Sequence, residues 1–172
     1  MAACGLRRFV PPVACNNPSA TGHFGKKLAV LPLVNLTAHP QAGRAVGDIL
    51  TTELYATGKF TILERTAIIE RILDDETDLD FVMTSAVARR IGKDLGAGLV
   101  IFGSVSEYRY MRGIDQNPAA GMNLRMLDVD TGEILWAASS SRSSGWYRIS
   151  LNQICQEACR DMVADLVATR VP

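Results

Sequence analysis

The sequence predicts an α/β (α+β) fold: one mixed sheet with helices packed against it, in the order β-α-β-α-α-β-β-β-α. Three observations predict it. Apolar residues recur at helical spacing in four separate segments. Apolar runs of strand length, such as Leu99-Val100-Ile101-Phe102, lie between them or follow them. Helices come early and a run of strands comes late, which calls for helices laid on a sheet. The chain has 172 residues, 48% of them hydrophobic, enough to bury the core of one domain.

Each element has its own signal. Leu28 to Val34 reads as the first strand. Pro32 within it lacks an amide hydrogen and argues for an edge position or a bulge. Gly43 to Tyr55 reads as a helix, with Val46, Ile49, Leu50 and Leu54 on one face and Gly58 as its stop. Phe60 to Leu63 is a short strand. A second helix starts at about Thr66, with Ile68, Ile69, Ile72 and Leu73 as its stripe. The acidic residues Asp74, Asp75, Glu76 and Asp78 read as a solvated turn. Ser85 to Leu95 is a third helix closed by Gly96. Leu99 to Tyr110 is a long strand. Gly121 to Val129 and Glu133 to Ser143 are the arms of a hairpin turned at Asp130-Thr131-Gly132. Ser150 to Ala168 is the last helix, with Leu151, Ile154, Cys155, Ala158, Met162 and Leu166 on its face.

Residues 1–25 hold Pro11, Pro12, Pro18, Asn16, Asn17, Gly22 and Gly25 without a sustained period and read as a flexible N-terminal tail. The folded domain is expected over residues 26–170. Lys and Arg total 18, as do Asp and Glu, so the zero net charge leaves no electrostatic footprint for nucleic acid. It also gives little attraction to anionic lipid. No apolar run reaches the ~18 residues of a spanning helix.

The motifs that suggest chemistry have plainer readings. Asp130-Thr131-Gly132 matches the aspartic protease triplet, which makes Asp130 the one nameable candidate of a hydrolase. That chemistry needs two carboxylates sharing a proton, whereas Asp-x-Gly between strands makes a tight turn. Asp128 and Asp130 resemble the start of a calcium loop, but the twelfth position is Ser139 rather than Glu. Gly96-Ala97-Gly98 leads from helix to strand, the reverse of a phosphate-binding loop. Cys155 and Cys159 lie four apart on the last helix and read as small core residues, with a disulfide the alternative, Cys15 included if the tail folds back. His23 and His39 have no zinc spacing with the cysteines. Glu64-Arg65 reads as an ion pair, surface or buried. Tyr108, Tyr110, Trp136 and Trp146 read mainly as packing, an exposed subset marking a partner surface. No catalytic site, metal site, cofactor or small-molecule substrate is expected.

Three segments in order carry a resemblance. They are Phe60-Thr61-Ile62-Leu63-Glu64-Arg65, the strand Leu99 to Tyr108, and the strand and turn Asn123 to Leu135. Together they resemble the periplasmic domain of the curli secretion channel (CsgG-like) family, over residues 27–168. The resemblance implies a bacterial envelope lipoprotein. Relatives with a similar domain include flagellar outer-membrane lipoproteins and activators of penicillin-binding proteins. The positions of the family's two membrane hairpins are here short and polar. Met111 to Ala120 holds Arg112, Asp115, Gln116, Asn117 and Pro118, and Ser143 to Trp146 leads straight to the last helix. A membrane strand needs about 9–11 alternating residues, so no pore is expected.

The resemblance gives Cys4 a role. Ala2-Ala3-Cys4-Gly5 resembles a lipoprotein cleavage site with Met1 where Leu is usual. Cys4 is the expected lipid anchor, with a signal segment expected before it in the native gene. Gly5 in place of Asp favours the outer membrane, facing the periplasm. The function expected is a non-catalytic binding and assembly module for an envelope secretion or surface-structure system. The alternatives are an activator of a cell-wall synthase and a ring-forming structural component. The partner is an envelope protein or a second copy. Arg112, Asp115 and Gln116 are the candidate partner surface.

Overall fold

The computed structural model describes residues 12–16, 22–74, 83–111, 117–144 and 149–168. It is a mixed seven-stranded sheet with helices on both faces. The strands are β1 (Val13–Asn16), β2 (Lys27–Val30), β3 (Val34–Asn35), β4 (Thr61–Ile62), β5 (Leu99–Tyr110), β6 (Pro118–Asp128) and β7 (Ile134–Ser143). The helices are α1 (Ala42–Ala56), α2 (Arg65–Asp74), α3 (Ser85–Asp94) and α4 (Leu151–Val167). The sheet order is β1-β7-β6-β5-β2-β4, with β3 also paired to β5. The pairs β5–β6, β6–β7 and β1–β7 are antiparallel; β2 and β3 run parallel to β5, and β4 parallel to β2.

The alternation along β5 builds two cores. Leu99, Ile101, Val105 and Tyr108 face the larger one, with Val46, Leu50 and Leu54 of α1 and Ile154, Cys155, Met162 and Leu166 of α4. Val100 and Phe102 face the smaller one, with Ile68 and Ile72 of α2 and Ala88 and Ile91 of α3. Period two in the strand meets period 3.6 in the helices, and each stripe finds its sheet face. Two caps fix the helix starts. Thr84 accepts the Val87 amide before α3, and Ser150 with Gln153 forms a reciprocal capping box before α4.

The expected order holds, and two short strands are added to it. The first expected strand divides into β2 and β3: the Leu31 amide still donates to the Ile101 carbonyl, but Pro32 has no amide to donate and residues 32–33 are not strand. β1 lies within the segment that reads as tail, paired antiparallel with β7 from Val13–Ser139 to Asn16–Trp136. Four residues between prolines and asparagines are too few to show a period.

β1 also settles one cysteine question. Ala14 packs against the larger core that holds Cys155 and Cys159, so its neighbour Cys15 faces the other side of the sheet and is exposed. All three thiols are free. Burial pushes the Cys155 thiol up to about 12 and the Cys159 thiol higher still. Native protein treated with a thiol reagent at pH 8 is expected to label Cys15 within minutes and Cys155 and Cys159 only in denaturant, as peptide mapping would read. Rapid native labelling of Cys159 would show that α4 opens from the sheet.

Candidate functional site

A hydrogen-bonded cluster ties the start of β2 to the β6–β7 turn. Asp128, 2% exposed, ends β6. One of its oxygens accepts the Lys26 ammonium at 2.8 Å and lies 3.2 Å from Nδ1 of His23. The other accepts the amides of Asp130 and Thr131, both at 2.9 Å. Burial opposes ionisation of Asp128, but the Lys26 hydrogen bond and charge and the two amides outweigh it and hold the carboxyl at about 2. Gly132 closes the turn at φ 80°, and its amide donates to the Asp128 carbonyl. Arg89 of α3 donates to the carbonyls of Val129 and Asp130. The Asp130 triplet is thus a turn whose three amides and Asp130 carbonyl are all hydrogen-bonded.

A second polar cluster lies between α1 and α2. Arg65, 8% exposed, pairs with Asp48 at 2.7 Å, its guanidinium lying against Gly47. The adjacent Glu64 does not pair with Arg65: it accepts the Thr66 hydroxyl and the Ala67 amide and caps α2. Sequence adjacency suggested the Glu64–Arg65 pair, but α2 starts between them and sends the side chains apart. Both clusters join elements that are distant in sequence. Among the described residues, no group of three or more His, Cys, Asp or Glu is placed to hold a metal, and no helix is long and apolar enough to cross a membrane.

The open site is at the far end of β5. A cavity of about 830 Å³ is lined by Leu36 to Pro40, Ser106 to Tyr110 and Leu151. Leu36 is 64% and Tyr110 51% exposed. Tyr108 is buried beneath it: its ring meets that of His39 edge-on at 5.0 Å, and its hydroxyl donates to Asn152 of α4 at 2.8 Å. Burial raises the Tyr108 phenol and keeps it a donor. The Tyr110 hydroxyl accepts the Leu151 amide at 3.3 Å. Glu107 and Arg109 on the rim pair with each other at 2.8 Å. Tyr110 is the exposed strand aromatic that the sequence pattern allowed for. Leu36 and His39 carry no local signal, because a loop is brought beside β5 only by the fold.

Cys4, Arg112, Asp115, Gln116 and Trp146 lie outside the described residues. The base of the connection that carries Arg112, Asp115 and Gln116 is well defined: Tyr110 pairs with Pro118, and the Met111 amide donates to the Asn117 carbonyl at 2.7 Å. Tyr110, next to that base, also lines the cavity.

Solved structures share this fold. The PelC dodecamer from Paraburkholderia phytofirmans superposes with a TM-score of 0.67 at 23% identity, covering 92% of this chain and 100% of that one. Lipoprotein GNA1162 from Neisseria meningitidis gives 0.61 at 17% identity, covering 81% and 99%. The LpoB C-terminal domain from Escherichia coli gives 0.52 at 23% identity, covering 70% and 84%. No curated protein sequence matches the chain.

These findings correct the curli (CsgG-like) resemblance, and they back the alternative reading, an activator of a cell-wall synthase, over the secretion role drawn from it. The segments that carried it are β4 with the start of α2, β5, and the β6–β7 hairpin. They are the framework of the sheet, set by core alternation and turn chemistry, and report a fold that several families share. The family model that does match is the peptidoglycan-synthase activator LpoB, over residues 11–141, from β1 through most of β7. The chain belongs to the LpoB family of peptidoglycan-synthase activators.

Proposed function

We propose that this chain is a non-catalytic activator of a peptidoglycan synthase, working as an outer-membrane lipoprotein that faces the periplasm. The family match over residues 11–141 carries the reading. The geometry supports it: the polar clusters hold elements together, and the open apolar site suits a protein surface better than a reaction. Purified domain added to the cognate synthase is expected to raise its rate of glycan polymerisation several-fold and to bind it with micromolar or better affinity. An unchanged rate and no binding at tens of micromolar would end this reading.

Cys4 is the proposed anchor. A single acyl chain binds membranes only marginally, and two or more hold firmly. Cys4→Ser is expected to abolish palmitate labelling and release the protein from membranes in cell fractionation, and persistent labelling would refute the assignment. The connection with Arg112, Asp115 and Gln116 is the proposed outer part of the partner surface, because its base abuts the cavity. Changing all three to Ala should leave the melting temperature unchanged and weaken synthase binding.

A further inference from the structure

We propose that the synthase binds by adding an extended, uncharged segment as a strand to the open edge of β5 at Ser106–Tyr110. This inference rests on the reading of the synthase as partner.

Three observations point to a strand as the occupant. The first is the vacancy in the sheet. The lane beside β5 is filled by β2, paired with Leu99 to Ile101, and then by β3, paired with Ser104 and Val105. The Leu36 amide still donates to the Val105 carbonyl at 2.9 Å. The chain then turns out of the lane. The Asn35 carboxamide oxygen accepts the Thr37 amide and hydroxyl, its nitrogen donates to the His39 carbonyl, and the His39 amide donates to the Thr37 hydroxyl. On its other side β5 stays paired with β6 as far as Tyr110–Pro118. Among the described residues, no strand occupies the lane beside Ser106–Tyr110. Five residues of strand span about 17 Å. An unpaired edge offers amides and carbonyls in a row, and strand addition satisfies them.

The second observation is the space. The cavity of about 830 Å³ lies between this edge and the diverted Leu36–Pro40 loop. Its lining begins at Leu36, the residue after β3, so an added segment would continue that lane.

The third is charge. Glu107 and Arg109, the two charged residues lining the cavity, are paired with each other, and the remaining wall includes Leu36, Pro40, Tyr110 and Leu151. A neutral segment with apolar residues at alternate positions complements that wall. A charged segment would meet in that wall only charges already paired with each other.

Overlapping synthetic peptides from the periplasmic part of the synthase provide the probe, beside the whole synthase. Hydrogen–deuterium exchange should show new protection at 106–110 when either is added. In the tightest peptide, amide-to-ester replacement at successive positions should weaken binding with a period of two, as edge pairing requires. Leu36→Lys, at an exposed side chain, should leave the melting temperature unchanged and weaken binding of synthase and peptide at least tenfold. Synthase binding with no protection at 106–110 and no effect of Leu36→Lys would overturn the strand addition and leave the activator reading standing. The absence of all synthase binding would overturn both. Protection at 106–110 that grows with concentration in the chain alone would overturn the synthase segment as occupant in favour of a second copy.

Discussion

Gly103→Val is expected to leave no folded protein, and Gly103→Ala to lower stability by roughly 3 kcal/mol or more, the upper end of overpacking costs. Gly103 sits in the middle of β5, opposite Leu124 of β6. A Cβ there would fall inside contact distance of the Asn123 carbonyl oxygen, with the Asn123 carbonyl carbon and the Leu124 Cα also close. These are backbone atoms of a paired strand. They cannot rotate away as a side-chain tip can, so β5 and β6 must separate locally at the centre of the sheet. For a domain of this size, 3 kcal/mol is about 10 °C in melting temperature. Gly22→Ala is the control, because a Cβ there meets nothing within 4 Å. Thermal unfolding followed by circular dichroism reads both. A Gly103→Ala loss under 2 °C would show that the β5–β6 ladder yields where it is expected to be rigid.

Asp128→Ala is expected to cost about 3 kcal/mol, the low end for breaking a buried ion pair. It removes the acceptor for Lys26 and two turn amides together and the carboxylate 3.2 Å from His23. The same group predicts an acid dependence. Its carboxyl is lowered from 3.8 to about 2 in the folded chain. A lowered carboxylate stabilises the fold fully above its unfolded value, and the gain disappears as pH falls from about 4 through about 2. Nearly two pKa units correspond to about 2 kcal/mol. Asp128→Asn should therefore lie below the natural protein in stability at pH 6, and the gap should close near pH 2. Urea unfolding at a series of pH values measures it. A gap that is constant from pH 6 to pH 2 would mean that the charge of Asp128 contributes nothing.

Most element boundaries were legible in the sequence because they depend on neighbours close along the chain; β6 begins at Pro118, three residues before the Gly121 read as its start, so the end of the expected polar connection belongs to the sheet. β5 was read as Leu99 to Tyr110, and α3 and α4 within a residue, from side-chain period and local caps. The turn at Asp130-Thr131-Gly132 was legible for the same reason. The strands that were missed are the ones whose existence depends on a partner. β1 has four residues and is held by β7, more than a hundred residues away. β3 has two and is held by β5. The acidic partner of Arg65 was also misplaced, since Asp48 reaches it from another helix.

The sequence by itself determined the class of the fold, the order of its elements and the core residues, all consequences of local periodicity. Only the tertiary structure decided which strand lies beside which, and with that where the sheet stops. The lane along Ser106–Tyr110 is vacant among the described residues because a turn at Asn35–His39 takes the chain away from a strand about seventy residues later. No local pattern encodes that meeting. The same holds for Asp128, which reads in sequence as a strand residue and a possible start of a calcium loop and becomes a buried anchor through Lys26, 102 residues away. Family membership came from neither periodicity nor spacing, since a sheet framework is shared by unrelated functions; the match over residues 11–141 supplied it.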